Sequence, residues 1–160
     1  MDLLLQGEAD FDELLALPPF GEARINVLLD CLALLAHSGQ VLPLFGPSAE
    51  AIPAQRFNRM VARLAREGRR YSHLATPVGR TGVRATEFDL LTLAAIDDGV
   101  AEEPGAVASH ILTGLKRLGR RPTKGGRAIE ADAEAADFVA ATVEPILSDT
   151  LPLWRRLGVL

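Results

Sequence analysis

The chain has 160 residues, 48 % of them hydrophobic and 24 % charged, and a formal charge of −4. That length and balance suit one folded domain, exclude an intrinsically disordered chain, and give no global reason to expect nucleic acid or an anionic membrane as partner. The single cysteine, Cys31, excludes an internal disulfide, and no apolar run reaches the 18 residues of a membrane-spanning helix.

In chain order, Met1 is followed by Asp2 and three leucines, a run with no basic flank and too short for a secretion signal, so the expected compartment is the cytoplasm. Phe11, Leu14, Leu15 and Leu17 predict a short amphipathic helix stopped by Pro18-Pro19. Ile25, Leu28, Leu29, Leu32 and Leu35 predict a helix over 22–37, widened by Val27, Cys31, Leu34 and Ala36. Its broad stripe marks it as the most buried helix, with Cys31 a small core residue, and Ser38-Gly39 ends it. Residues 40–53 contain three prolines and Gly46 and read as an irregular connection. A helix over 54–70 follows, then a loop marked by Pro77, Gly79 and Gly82. Thr86 to Asp89 has the form of a capping box opening a helix that stops at Gly99. Pro104 suits a first helical position, and Val107, Ile111, Leu112, Leu115 and Leu118 continue to Gly119. An alanine-rich helix over 128–148 is bent by Pro145, and Trp154 with Leu157 predicts a terminal turn. No segment alternates with a period of two. The expected fold class is all-α: a single-domain helical bundle of five or six main helices over 1–160, with irregular loops at about 39–53, 71–85 and 119–127.

Charge is distributed in blocks. Residues 1–50 hold eight acids and one Arg, 56–84 hold eight Arg and one Glu, and 85–103 hold six acids and no base. Residues 116–127 then hold six bases, and six acids return over 128–149. Neighbouring blocks of opposite sign suit helices that pair charge across their rims. Fifteen of the seventeen basic residues are Arg, the codon bias of a GC-rich bacterial genome, which weakens any argument that each Arg was selected for function.

The leading candidate surface is Arg56, Arg59, Arg63, Arg66 and Arg70, which fall within an arc of roughly 80° on one helix. Phe57, Met60, Val61 and Leu64 form an apolar arc about 130° away, read as the packing face. Guanidinium forks grip carboxylate or phosphate in two-point contacts, so the stripe is a candidate docking face. The competing reading is a solvated face lying along an acidic neighbour, its stems covering apolar surface. Five guanidinium groups with Glu67 as the one interleaved acid repel one another, which points to an anionic counterpart somewhere.

Secondary anion-binding candidates are Arg80 and Arg84 beside Gly79 and Gly82, and Arg120, Arg121 and Lys124 in a Gly- and Pro-rich run. Neither segment has the spacing of a phosphate-binding loop or dinucleotide fingerprint. The three histidines lie far apart in sequence, and no metal-ligand spacing is present; Asp97-Asp98 and Glu102-Glu103 bracket a turn without a six-ligand pattern. His110 follows Ser109 on one helix, where adjacent positions face apart, so the two form no nucleophile pair. Two helices over 88–118 could place one in a major groove, but Asp97, Asp98, Glu102 and Glu103 crowd the end that would meet phosphates.

The sequence therefore predicts no catalytic residue, metal or cofactor. It predicts a non-enzymatic bacterial protein acting as adaptor or regulator through protein–protein contact or self-association as a homo-oligomer. The alternatives are a nucleic-acid-binding regulator using 56–84 and 116–127, and an enzyme or sensor holding an anionic small molecule.

Overall fold

The computed structural model describes residues 8–44 and 51–160; the leucine run after Met1 and the 45–50 part of the first predicted loop lie outside the described residues. The described chain is mostly helical and carries two small antiparallel sheets. It divides into two compact units, Met1–Pro43 and Leu44–Leu160.

In the first unit, helix α1 (Phe11–Leu15) is opened by the Asp10 N–H, which donates to the Glu13 carboxylate at 3.0 Å. A 3₁₀ turn, Glu22–Arg24, leads into α2 (Ile25–His37). The helix stops at Gly39, whose φ of 73° lets the Gln40 N–H return to the Leu35 carbonyl at 2.9 Å. The expectation that this is the most buried helix is corrected here. Leu28 is the one buried residue of α2, while Val27, Leu29, Leu34 and Cys31 are exposed. A helix apolar nearly all round needs cover on every side, and among the described residues of this unit the elements packed beside it are α1 and the 3₁₀ turn.

The second unit runs α3 (Ala51–Arg66), β1 (His73–Thr76), β2 (Thr81–Arg84), α4 (Glu87–Asp97), α5 (Pro104–Arg117), β3 (Thr123–Lys124), β4 (Arg127–Ala128), α6 (Asp132–Pro145) and α7 (Leu151–Arg156). Helix α3 therefore begins three residues before the predicted start, taking residues 51–53 out of the irregular connection. The capping box is present as read: the Asp89 N–H donates to Thr86 Oγ1 at 3.2 Å, and the Thr86 N–H to Asp89 Oδ2 at 2.6 Å. Leu90 to Ala95 are six consecutive buried residues, which makes α4 the most enclosed helix. Leu91 and Ala95 of α4 form the core with Val107, Ala108, Ile111 and Leu115 of α5 and Val139 and Val143 of α6.

The predicted loops at 71–85 and 119–127 are corrected to hairpins. Strand β1 pairs antiparallel with β2, Leu74 opposite Val83 and Ala75 opposite Gly82. Strand β3 pairs with β4 through Gly125 and Gly126, both at positive φ, the backbone of a tight two-residue turn. Pro145 acts as expected. It has no N–H to return to the preceding turn, α6 ends there, and one wide turn, Ile146–Thr150, joins it to α7.

The last residues strap the unit together. The Leu157 carbonyl accepts from Thr76 Oγ1 at 3.1 Å, the Val159 carbonyl from Asn58 Nδ2 at 2.9 Å, and the Leu160 carbonyl from Gln55 Nε2. Asn58, 1 % exposed, also donates to the Ala75 carbonyl at 2.8 Å and accepts from the Ala75 N–H at 2.7 Å. One buried carboxamide thus joins α3, β1 and the C-terminal strap, with both N–H donors used and its oxygen accepting one hydrogen bond.

Candidate functional site

Helix α3 positions the candidate residues, and it has three faces. Asn58, Val61, Ala62 and Ala65 are buried, Arg59 and Arg63 project into solvent, and Phe57 and Met60 are 47 % and 50 % exposed. The apolar arc read from the sequence is therefore only partly the packing face: Val61 is buried, whereas Phe57 and Met60 are not. The reason is steric. Helix α4 packs on α3, and the small side chains of Ala62 and Ala65 permit close approach, so the helix turns its small-residue side inward and leaves Phe57 and Met60 outside the contact.

The counterpart of the arginines is the end of α4. Arg59 Nε lies 3.5 Å from Asp97 Oδ1, and Arg63 reaches Asp97 Oδ2 with Nε at 3.2 Å and Nη2 at 3.1 Å. Arg66 pairs with Asp98, whose Oδ2 also lies 3.2 Å from His110 Nε2 on α5. That last approach lacks hydrogen-bond geometry, and the ring nitrogen has no hydrogen-bond partner among the described residues. Asp97 and Asp98 stand where the helix dipole disfavours carboxylates, and guanidinium groups offset the cost. Arg56 and Arg70 are exposed and have no ion-pair partner among the described residues.

The secondary candidates are not brought to one place. Arg120 pairs with Glu87 at 2.7 Å, and Arg121 donates to the Glu130 carbonyl at 2.6 Å and lies 3.4 Å from Asp132. Lys124 stands on the β3–β4 hairpin, opposite Arg127. Arg84 lies on β2, and Arg80 closes the β1–β2 turn at φ 47°. The Gly79 N–H is already spent on Thr76 Oγ1 at 3.0 Å, so that glycine does not offer its amide to an anion.

Sequence reasoning missed an open groove of about 630 Å³ between the start of α3 and the β1–β2 hairpin. Pro53, Ala54 and Phe57 form one wall; His73, Ala75, Arg80 and Gly82 belong to the other. The exposed Phe57 in a polar setting was the one available signal, and assigning it to the core hid it. Among the described residues no cluster of His, Cys, Asp and Glu is arranged to hold a metal, and no helix is long and apolar enough to cross a membrane. No family model, curated protein or solved structure matches this chain.

Proposed function

We propose that the protein acts through protein–protein contact, as an adaptor or regulator, and that its docking surface is the Phe57–Met60 side of α3 together with the adjoining groove. The observation that supports this reading is the three-way division of α3. Its buried face is committed to the core, and three of its arginines are committed to Asp97 and Asp98. A large apolar pair is left exposed beside an open groove. Exposed apolar surface next to a concavity, rimmed by positive charge, is the composition of an interface. The test is capture of partners, including tagged second copies, by wild type and by Phe57→Glu/Met60→Glu in parallel. Loss of capture at unchanged melting temperature is expected; full retention contradicts the reading.

One observation favours nucleic acid as a second reading. The acids that crowd the α4–α5 turn are largely neutralised: Asp97 and Asp98 by α3, and Glu102 by Arg155. The exposed side of α5 carries Ser109, Thr113, Lys116 and Arg117 and leads directly to the basic β3–β4 hairpin. Duplex binding by that side would weaken steeply with salt, so a gel shift at two salt concentrations decides it.

A further inference from the structure

We infer that the outer edge of β2 accepts an extended acidic segment of a partner protein as a third strand, its aromatic side chain lying over Gly82 toward the groove. This deepens the protein-contact reading above and rests on it. Register sets which backbone groups face outward. Ala75 and Gly82 are directly opposite in the antiparallel pair, and both backbone groups of Ala75 are taken by the Asn58 carboxamide on the side away from β2. Residues opposite one another in such a ladder either bond each other or both point outward. Gly82 therefore also directs its N–H and C=O outward, from the β2 edge. The Ala85 N–H donates to the Ser72 carbonyl at 2.9 Å, which makes Arg84, one residue earlier, outward-pointing as well. Gly82 and Arg84 are exposed, and no hydrogen bond links another described residue to these groups.

The two edges of the hairpin are thus unlike. Asn58 closes the β1 edge with a side chain that imitates a strand, whereas β2 keeps an open row of donors and acceptors. An uncovered edge of that kind pairs with added strands, and this one carries neither proline nor lysine to block pairing. Main-chain pairing supplies affinity; the side chains on the shared face supply selectivity. Gly82 and Arg84 lie on the same face as Ala75 and His73, with Leu74 and Val83 on the other. Gly82 leaves the floor low beside the groove, so an aromatic side chain opposite it gains cover, as cross-strand aromatics do over glycine. Two positions along, the partner's side chain stands opposite Arg84. Residues 69–86 contain Arg69, Arg70, Arg80 and Arg84 and no acid, so the complementary residue there is Asp or Glu. The same charge disfavours a second copy of β2 as the occupant.

The probe is a fluorescein-labelled octapeptide repeating Thr-Phe-Thr-Glu, measured by anisotropy at low salt. Its companions replace Glu by Lys, or Phe by Ala, and a labelled DNA duplex serves as the polyanion arm. Wild type is expected to bind the Glu peptide at least about tenfold tighter than the Lys peptide, the size of one charge-pair reversal. Amide hydrogen exchange at Gly82 and Arg84 is expected to slow on binding. Arg84→Glu reverses the charge preference. Gly82→Pro deletes one outward N–H without touching a bond to β1. A Cβ at that position meets its nearest neighbours, the His73 Cβ and the Leu74 carbonyl, at an ordinary 3.6 Å. Circular dichroism checks the fold of this variant, and Arg84→Glu carries the test if it unfolds. Binding without amide protection, equal binding of the Lys peptide, or duplex DNA binding that Arg84→Glu abolishes overturns the inference. No peptide binding, with capture still lost in Phe57→Glu/Met60→Glu, overturns this inference alone and leaves the docking surface in place.

Discussion

Arg63 places Nε at 3.2 Å and Nη2 at 3.1 Å on a single oxygen of Asp97, 34 residues away, and Asp97 is only 13 % exposed. The carboxylate is therefore more desolvated than its partner and depends on the guanidinium for compensation. The stripe that reads in the sequence as an unopposed row of charge is, over this stretch, one half of a helix–helix contact.

Removing the carboxylate tests that contact. Asp97→Ala leaves Arg59 and Arg63 facing each other, and it is expected to cost about 1 kcal/mol, given that both arginines are largely exposed. Urea denaturation at low and high salt checks it. The deficit shrinks in high salt if it is electrostatic.

Asn58 is expected to be far more sensitive. Asn58→Ala strands the Ala75 N–H, the Ala75 carbonyl and the Val159 carbonyl in a buried place, and unsatisfied groups cost about 1–3 kcal/mol each. A loss of about 3–5 kcal/mol is expected, partly relieved by relaxation and water entry. Asn58→Asp is expected to do no better, because it keeps an acceptor for the Ala75 N–H but replaces the donating Nδ2 with a second carboxylate oxygen that faces two carbonyl oxygens. Equilibrium denaturation of both variants provides the comparison.

Gly158 combines a φ of 71° with close approach, since a Cβ there would lie 2.8 Å from Pro77 Cγ. Left-handed backbone costs a side chain about 1–2 kcal/mol, and overpacking adds about 1–3 kcal/mol. Gly158→Ala is accordingly expected to lower the melting temperature clearly, by displacing the strap from the β1–β2 turn. Gly99→Ala gives the contrast, because it carries the same kind of φ with nothing within 4 Å of its Cβ.

Much of the helical plan is legible in the sequence. The Thr86–Asp89 capping box, Pro104 at the start of α5, Gly39, Gly99 and Gly119 at helix ends and Pro145 at the break all act through local backbone chemistry. The hairpins are not legible, because β1 and β2 have four residues each, too few for a period of two to emerge. Nor is the buried face of α3. Its core positions are Asn58, Val61, Ala62 and Ala65, while its most hydrophobic side chains, Phe57 and Met60, face out. Hydropathy ranked the faces one way, and the fit of small residues against α4 ranked them another. The pairing of the Arg stripe with Asp97 and Asp98 was present only as a charge-block pattern, since the sequence does not specify which acidic block lies alongside.

Asp132 gives the pH dependence. The Lys116 ammonium donates to it at 2.8 Å and attracts it electrostatically, with Arg121 adding to both effects, and together these hold its carboxyl below the ordinary value of 3.8. Its folded value is depressed, so its contribution to stability is present above about pH 4 and is lost as pH falls through the folded value. Asp132→Asn is expected to melt slightly below wild type near neutral pH, and the two should converge as pH falls below the depressed folded value. Scanning calorimetry across that window measures the gap; a gap that widens on acidification contradicts the assignment.

The proposed docking surface is the exposed Phe57–Met60 side of α3. Hydroxyl-radical footprinting of the purified chain, and of the same chain labelled inside the cell, tests this, because phenylalanine and methionine both label readily when solvent reaches them. Strong labelling of Phe57 and Met60 is expected in the isolated chain and marked protection of both inside the cell, with Leu153 as an exposed reference on α7. Equal labelling of Phe57 and Met60 in the two states would contradict it.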